Sequence, residues 1–347
     1  MRVTIKDIAR KAGVSITTVS KALNNYSDVN EKTKLKILEI VKELNYSPNI
    51  AARTLSSKKK KRIALILNEI NLNRKSPIVM EILSGVYNFT EQNDIEFVLL
   101  FTTKQKQYLN SFEAICHEQN IHGAIIHGLD IDDPYCESIA KSDIPSVLID
   151  LELHGKNTTT VTVDNEKAAE AAVNYLTQLG HKKIAHISGK YTAQVSIQRK
   201  AGYKKGLTNY GTEFIEDYII NGDFDEDLTY ELTKKFVLKN PEVTAFFCSS
   251  DLMAIGAMRA IQDLGFSVPH DFSIFGFDNI ILSGYVNPSI TTISQDMESL
   301  GYKSTKLLWD KLSESEEINK LSQKIHMPYE LIVRQSTRKC RTLTTNS

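Results

Sequence analysis

Thr17 and Lys21 lie four residues apart in Val14-Ser15-Ile16-Thr17-Thr18-Val19-Ser20-Lys21-Ala22-Leu23-Asn24, and on a helix that spacing puts both side chains on one face. A lysine so placed can donate to guanine O6 and N7. Ile16, at the start of the same helix, can meet a thymine methyl, so Ile16, Thr17 and Lys21 carry the chemistry of base-edge reading. Ser15, Thr18, Ser20 and Asn24 are short polar groups suited to the flanking phosphates. An amphipathic helix in a small bundle would use the same residue types, with Val19, Ala22 and Leu23 as its apolar side.

The elements that must hold these residues read as three short helices. Ile5, Ile8, Ala9 and Ala12 have helical spacing behind Thr4 as N-cap, and Gly13 breaks the run. Ser15 can cap the second helix. Asn30 can cap the third, whose Ile37, Ile40, Val41 and Leu44 form one stripe. Two helices joined by a tight Gly-containing turn, with a third beside them, is the helix-turn-helix arrangement, and Thr4 and Asn30 join the DNA-contacting candidates. The charge agrees: residues 1–62 hold 15 Lys/Arg against 5 Asp/Glu, whereas the whole chain balances at 42 against 42. A basic head on an acidic body points to a polyanion met by the head alone.

Tyr46-Ser47-Pro48-Asn49-Ile50-Ala51-Ala52-Arg53-Thr54-Leu55 reads as barely two turns of helix, capped by Asn49. A helix this short is marginal in water and needs outside support. Ala51 and Ala52 permit close approach of an identical helix, and Leu55 can wedge between base pairs in the minor groove beside Arg53, or pack on the body. Ser56-Ser57-Lys58-Lys59-Lys60-Lys61-Arg62 reads as linker. Beyond it, short apolar runs at 63–67, 96–100, 123–127, 146–149, 184–187, 245–248 and 273–277 alternate with amphipathic stretches. That alternation predicts parallel strands covered on both faces, in a doubly wound pair of subdomains with any ligand at the strands' C-terminal ends.

Cys116, Cys136, Cys248 and Cys340 are far apart, so neither a zinc site nor a disulfide framework is expected, and no cofactor is implied. No apolar stretch approaches the roughly 18 residues of a membrane span and the N-terminus lacks a signal-peptide core, so a cytoplasmic protein without a membrane partner is expected. No GxGxxG, GxxxxGK[ST], HExxH or GxSxG occurs, which argues against an enzyme.

Residues 3–55 resemble the lactose/galactose-repressor family of bacterial transcription regulators, and the resemblance continues through the body. It is carried by Asn174-Tyr175-Leu176, by Leu179-Gly180-His181-Lys182-Lys183-Ile184-Ala185-His186-Ile187-Ser188-Gly189, and by Gln198-Arg199-Lys200-Ala201-Gly202-Tyr203. Further motifs are Ser250-Asp251-Leu252-Met253-Ala254-Ile255-Gly256-Ala257, Phe275-Gly276-Phe277-Asp278 and Pro288-Ser289-Ile290-Thr291-Thr292-Ile293. The resemblance implies an all-α helix-turn-helix head plus an α/β periplasmic-binding-protein-like body of two doubly wound parallel-sheet subdomains. It also implies a homodimer on a pseudopalindromic double-stranded DNA operator, a hinge helix ordered on DNA with Leu55 at the operator centre, and a small effector. Ile16 and Ser27 depart from the polar or basic residues that relatives carry, so the operator sequence does not transfer.

The expected organisation is a head at 1–47, hinge and linker at 48–62, and a body at 63–340 followed by a tail at 341–347. Within the body, one subdomain takes about 63–163 and 293–325, the other about 164–292 and 326–340. For a sugar or sugar derivative, Arg199 supplies a donor fork and Asp278 a two-oxygen acceptor, with Asp150 and Ser250 adding polar contacts and Phe224 standing where the family stacks an aromatic. Alternatives remain: a structural salt bridge between Arg199 and Asp278, and plain core packing for Phe224. Ser250 replaces an asparagine of some relatives, and the 68–76 loop lacks their aromatic. The tail has no apolar heptads, so a dimer rather than a tetramer is expected. A sugar-binding transport component would share the body, but neither the basic head nor the absent signal sequence suits it.

Overall fold

The computed structural model describes residues 3–23, 26, 28–44, 46, 61–69, 77–313 and 323–340. The chain divides into two compact units, Met1–Lys60 and Lys61–Ser347.

In the first unit, α1 (Ile5–Ala12), α2 (Ile16–Leu23) and α3 (Glu31–Glu43) enclose Ile8, Ala12, Val19, Ala22, Ile37 and Ile40. Each boundary has a local cause. The Thr4 amide and hydroxyl both donate to the Asp7 carboxylate, at 2.9 and 2.6 Å, and these bonds hold the Asp7 carboxyl below its ordinary range. Gly13 adopts φ 72° and ends α1, a conformation that a side chain would strain. Ser15 Oγ accepts the Thr18 amide at 3.1 Å, and Asn30 Oδ1 accepts the Lys32 amide at 2.9 Å.

The second unit contains two six-stranded sheets. Its elements begin with β1 (Arg62–Asn68), α4 (Pro77–Gln92), β2 (Glu96–Thr102), α5 (Lys104–Leu109), α6 (Phe112–Glu118), β3 (Gly123–His127), α7 (Pro134–Lys141), β4 (Ser146–Ile149) and β5 (Thr158–Val163). They continue with α8 (Asn165–Gln178), β6 (Ile184–Ser188), α9 (Gln194–Thr208), β7 (Ile219–Asn221), α10 (Glu226–Lys239), β8 (Ala245–Cys248), α11 (Asp251–Asp263) and β9 (Ser273–Asp278). The last are α12 (Ile281–Tyr285), β10 (Thr291–Gln295), α13 (Met297–Ser313), β11 (Gln323–Met327) and β12 (Tyr329–Ile332). The first lobe carries the sheet β11-β5-β4-β3-β1-β2, all parallel; the second carries β12-β10-β9-β8-β6-β7, with β12 alone antiparallel to its neighbour.

The chain therefore crosses between lobes after Val163, after Gln295 and after Met327. β10 lies wholly in the second lobe and β11 wholly in the first, so two of the crossings fall two to three residues later than the expected 293 and 326. The reason is pairing: Thr292, Ile293, Ser294 and Gln295 are all bonded to β12, and a crossing at 293 would break that ladder.

In the first lobe α4 and α13 pack almost backbone to backbone. A Cβ on Gly85 would lie 2.0 Å from the Glu298 carbonyl oxygen, and one on Gly301 would lie 2.4 Å from that of Ile82. The glycines let Ile82, Val86, Met297 and Leu300 close a single core beneath the sheet. Gly301→Val is expected to force these helices apart and destabilise the body by about 1–3 kcal/mol. Urea unfolding followed by circular dichroism checks this, and an unchanged midpoint would contradict it.

Candidate functional site

On the head, α2 buries Val19 and Ala22, partly buries Leu23, and leaves Ile16 and Thr17 exposed. Ile16, at the start of the helix, is 44% exposed. Lys21 is turned toward Asp28, with its ammonium hydrogen-bonded to the carboxylate, so the expected base reader has an intramolecular partner. This bond holds the Asp28 carboxyl below its ordinary range. Ser15 and Thr18 share a hydroxyl–hydroxyl bond of 2.8 Å as part of the α2 cap, and Thr4 and Asn30 serve the caps of α1 and α3. Ser20 lies half-buried on α2. Asn24, Asn49, Ala52, Arg53 and Leu55 lie outside the described residues.

In the body, the expected effector residues cluster at strand C-termini. Asp278 ends β9 with φ 110°, and Asp150 follows β4 with φ 64°, both in the left-handed region that strains an L residue. Such strain is held by surrounding bonds. Thr162 Oγ1 donates to Asp150 Oδ1 at 2.6 Å, and Gln295 Nε2 donates to Asp278 Oδ1 at 2.7 Å.

Arg199, on α9, reaches the same point from below. Its Nε donates to Asn165 Oδ1 at 2.8 Å, its Nη1 donates to the Ser249 carbonyl at 2.6 Å, and its guanidinium lies 3.7 Å over the Phe277 ring centroid. Nη1 stands 3.7 Å from Asp278 Oδ1, a loose ion pair with both side chains buried. Nη2 has no hydrogen-bond partner among the described residues, which leaves one edge of the fork for a ligand oxygen. The structure thus brings Arg199 and Asp278 together directly, and Asp150 acts on both through its charge.

Ser250 and Phe224 also serve the fold. Ser250 is buried as the N-cap of α11, its hydroxyl accepting the Met253 amide at 3.2 Å. Phe224, at φ 56°, lies against the second lobe's core, with its ring so close to Gly189 that a Cβ there would be 2.1 Å away. Its half-buried position still leaves part of the ring open.

Several site residues were not singled out from sequence. Asn165 and Gln295 orient the two charged groups, and Gln295 Oε1 is buried without a partner. His127, at the end of β3 near Asp150, also has a buried, unpartnered Nδ1, and burial lowers its affinity for a second proton. Asp251, fully buried, accepts the Ile280 amide at 2.9 Å and the Thr292 hydroxyl at 2.7 Å, and so clamps the backbone just beyond Asp278. Gly276 makes room for that carboxylate, because a Cβ would be 2.1 Å from Oδ1. The available signal was position: Asp251 stands in the first turn of α11 directly after its cap.

The lobes meet at the rim of the cleft. The Ile131 amide donates to the Thr192 carbonyl at 3.0 Å, the Glu152 amide donates to Gln194 Oε1 at 2.6 Å, and Lys190 Nζ lies 3.6 Å from Asp130. A separate cavity at the N-terminal ends of β1, β3 and β4 is bordered by Lys61, His117, His122, Lys141 and Asp143, and none of the expected effector residues borders it.

Burial dominates the protonation of the cleft. It pushes Asp278 up to about 7, against the opposing pull of Arg199 and Gln295, and pushes Asp251 up to about 8 with help from Asp278. An unfolded aspartate titrates at about 3.9. Between that value and 7 to 8 the folded body holds protons that the unfolded chain has lost. These groups therefore stabilise the fold at low pH, and that contribution falls as pH rises through the window. Asp251→Asn retains a neutral group of the same shape, so it should flatten the decline in melting temperature between pH 5 and 8 and raise it at pH 8. A slope identical to the parent's in differential scanning calorimetry would refute this.

Residues 4–49 match the description "Bacterial regulatory proteins, lacI family", and residues 173–337 match a periplasmic binding protein-like domain. The chain is 34% identical over 341 residues to the "Probable HTH-type transcriptional repressor ExuR" of Bacillus subtilis (strain 168), covering 98% of this chain and 100% of the relative. It is 33% identical over 340 residues to "Catabolite control protein A" of Priestia megaterium, covering 97% and 100%. Among solved structures, the lac repressor dimer bound to operator and the anti-inducer ONPF aligns with a TM-score of 0.84 at 28% identity, covering 97% of this chain and 100% of that one.

Proposed function

The chain belongs to the lacI family of bacterial regulatory proteins, and on that premise we propose that it is an operator-binding transcriptional repressor whose DNA affinity is set by a sugar or sugar derivative held between the lobes of the body. The observation that carries the effector half of this reading is the Arg199–Asp278 pair. A donor fork with a free edge and a two-oxygen acceptor stand together at strand ends, where open α/β sheets bind small molecules. The DNA half rests on the exposed Ile16–Thr17 face of α2, with Lys21 able to exchange Asp28 for a base edge.

The functional unit is a cytoplasmic homodimer, which matches a two-fold operator with two heads. Ile281, Leu282 and Tyr285 present an exposed apolar face on the second lobe, as Met80 and Tyr87 do on α4 of the first, and a second copy would cover both. In this reading residues 48–62, most of which lie outside the described residues, are hinge and linker, and Asn49, Ala52, Arg53 and Leu55 are DNA-binding residues, with Leu55 the minor-groove wedge. Effector binding changes lobe closure, which alters the separation of the paired hinges and hence the affinity for operator.

The test pairs selection of bound fragments from genomic DNA with fluorescence anisotropy on the enriched sequence, with and without candidate sugars. Arg199→Ala should abolish the ligand-dependent change in operator affinity while leaving the ligand-free affinity within about threefold, because the site lies in the body and the reading face in the head. An unchanged ligand titration removes Arg199 from the site. The absence of any sequence preference at moderate salt defeats the whole reading.

A further inference from the structure

The reading helix carries a single cation, and an acid in the turn ahead of α3 already holds it. Lys21 is the one basic residue between Ile16 and Leu23, and its ammonium is hydrogen-bonded to the Asp28 carboxylate. Both side chains reach solvent, at 43% and 54% exposure, so the pair is open to a bound duplex. The two partners are not equally fixed. Asp28 has a short side chain, and the residues after it are anchored: Val29 is buried in the head's core and Asn30 caps α3. Lys21 ends a long, flexible stem. Asp28 therefore positions Lys21, rather than the reverse.

We propose that Asp28 is a specificity-determining residue of the head, which holds the Lys21 ammonium beside α2 and keeps it from the phosphates that every duplex presents. The inference rests on the reading of α2 as the DNA-reading helix and assigns Asp28 a role exercised through Lys21. A free lysine on this helix can swing to the backbone, which adds affinity without adding sequence information. A phosphate offers the ammonium only another anionic oxygen, and a carboxylate is already in place. Guanine O6 and N7 differ, because they add acceptors without bringing a charge. An ammonium has three hydrogens, so it can keep Asp28 with one and turn the others to a base edge. The exchange of partners then stops short of release. Asp28 also repels the backbone of any duplex through its own charge, and this disfavours the wrong partner while the positioned Lys21 favours the right one.

The full-length protein is titrated by fluorescence anisotropy against the fragment enriched from genomic DNA and against a random-sequence duplex of equal length, over a range of potassium chloride concentrations. The parent, Asp28→Asn, Lys21→Ala and the double variant form a cycle. Asp28→Asn should lower the ratio of specific to random affinity by on the order of tenfold in the dimer, mainly by tightening the random duplex. It should also steepen the salt dependence on that duplex by about one phosphate per head, as Lys21 is released to the backbone. In the Lys21→Ala background the same substitution removes only a charge, so both affinities rise together and the ratio stays within about twofold. Asp28→Glu keeps the charge and the pairing, and should restore most of the parent ratio. A ratio unchanged by Asp28→Asn, or lowered equally in the Lys21→Ala background, overturns the inference alone. Lys21→Ala leaving the ratio intact overturns it together with the base-reading role of Lys21. A parent protein with no preference for the enriched fragment overturns it together with the DNA-reading role of α2.

Discussion

A guanidinium buried under the C-terminal ends of a parallel sheet must be surrounded by acceptors, and the second lobe is organised by that requirement. Arg199 takes one acceptor from α8, one from the chain leaving β8, and a looser one from β9, while the Phe277 ring covers its face. Desolvating a charge without such partners would cost several kcal/mol. Each partner is itself fixed. Asn165 also donates to Thr162 at the crossing into the lobe, and Asp278 is held by Gln295 from β10. The pair thus links three strands, two helices and an inter-lobe connection. At 3.7 Å, Arg199 and Asp278 are close enough to stabilise one another without a direct hydrogen bond.

How much of this was readable in sequence depends on the range of the interaction. The three head helices were legible because cap, apolar spacing and breaker lie within a few residues, as with Asn30 ahead of Ile37 and Ile40. The strands with continuous apolar runs were legible too. Thr158–Val163 was not, since its alternating threonines suggest a half-exposed strand, whereas every residue of it is buried between β4 and β11. Strand β12 escaped because it joins antiparallel and half-buried at a sheet edge. Among site residues, Arg199 and Asp278 announce themselves by type. Gln295 and Asn165 do not, because their importance lies in pairing with groups 17 and 34 positions away. Ser250 shows the converse: its residue type suggested a ligand contact, but the start of α11 uses its hydroxyl as a cap.

The carboxylates of the cleft behave as one system. Asp251 clamps Ile280 and Thr292, which fixes the backbone that carries Asp278 in its left-handed conformation. Burial raises Asp251 and the charge of Asp278 adds to it, so Asp251 gives up its proton more readily once Asp278 is neutral. A neutral Asp251 can still serve both neighbours, because Thr292 can redirect its hydroxyl toward the Ile293 carbonyl, 3.2 Å away. The backbone geometry at Asp278 is therefore compatible with either protonation state. The charge presented to a ligand is not.

The chain enters the body at β1. At its start, Arg62 is held by the Glu96 carboxylate, the Gln119 carbonyl and His122, which pin the strand to β2 and to the approach of β3. At its other end, Asn68 bonds Gly128, Asp133 and Gln107, gathering the loops on the cleft side of the same sheet. A strand fixed at both ends within a fully parallel sheet moves with its lobe as a rigid piece. Among the described residues, two hydrogen bonds and a partly exposed ion pair join the lobes at the rim, beside the packing of Ile78 on the second lobe's core. Net contributions of about 1 kcal/mol per hydrogen bond leave the closure equilibrium within reach of the binding energy of one small ligand.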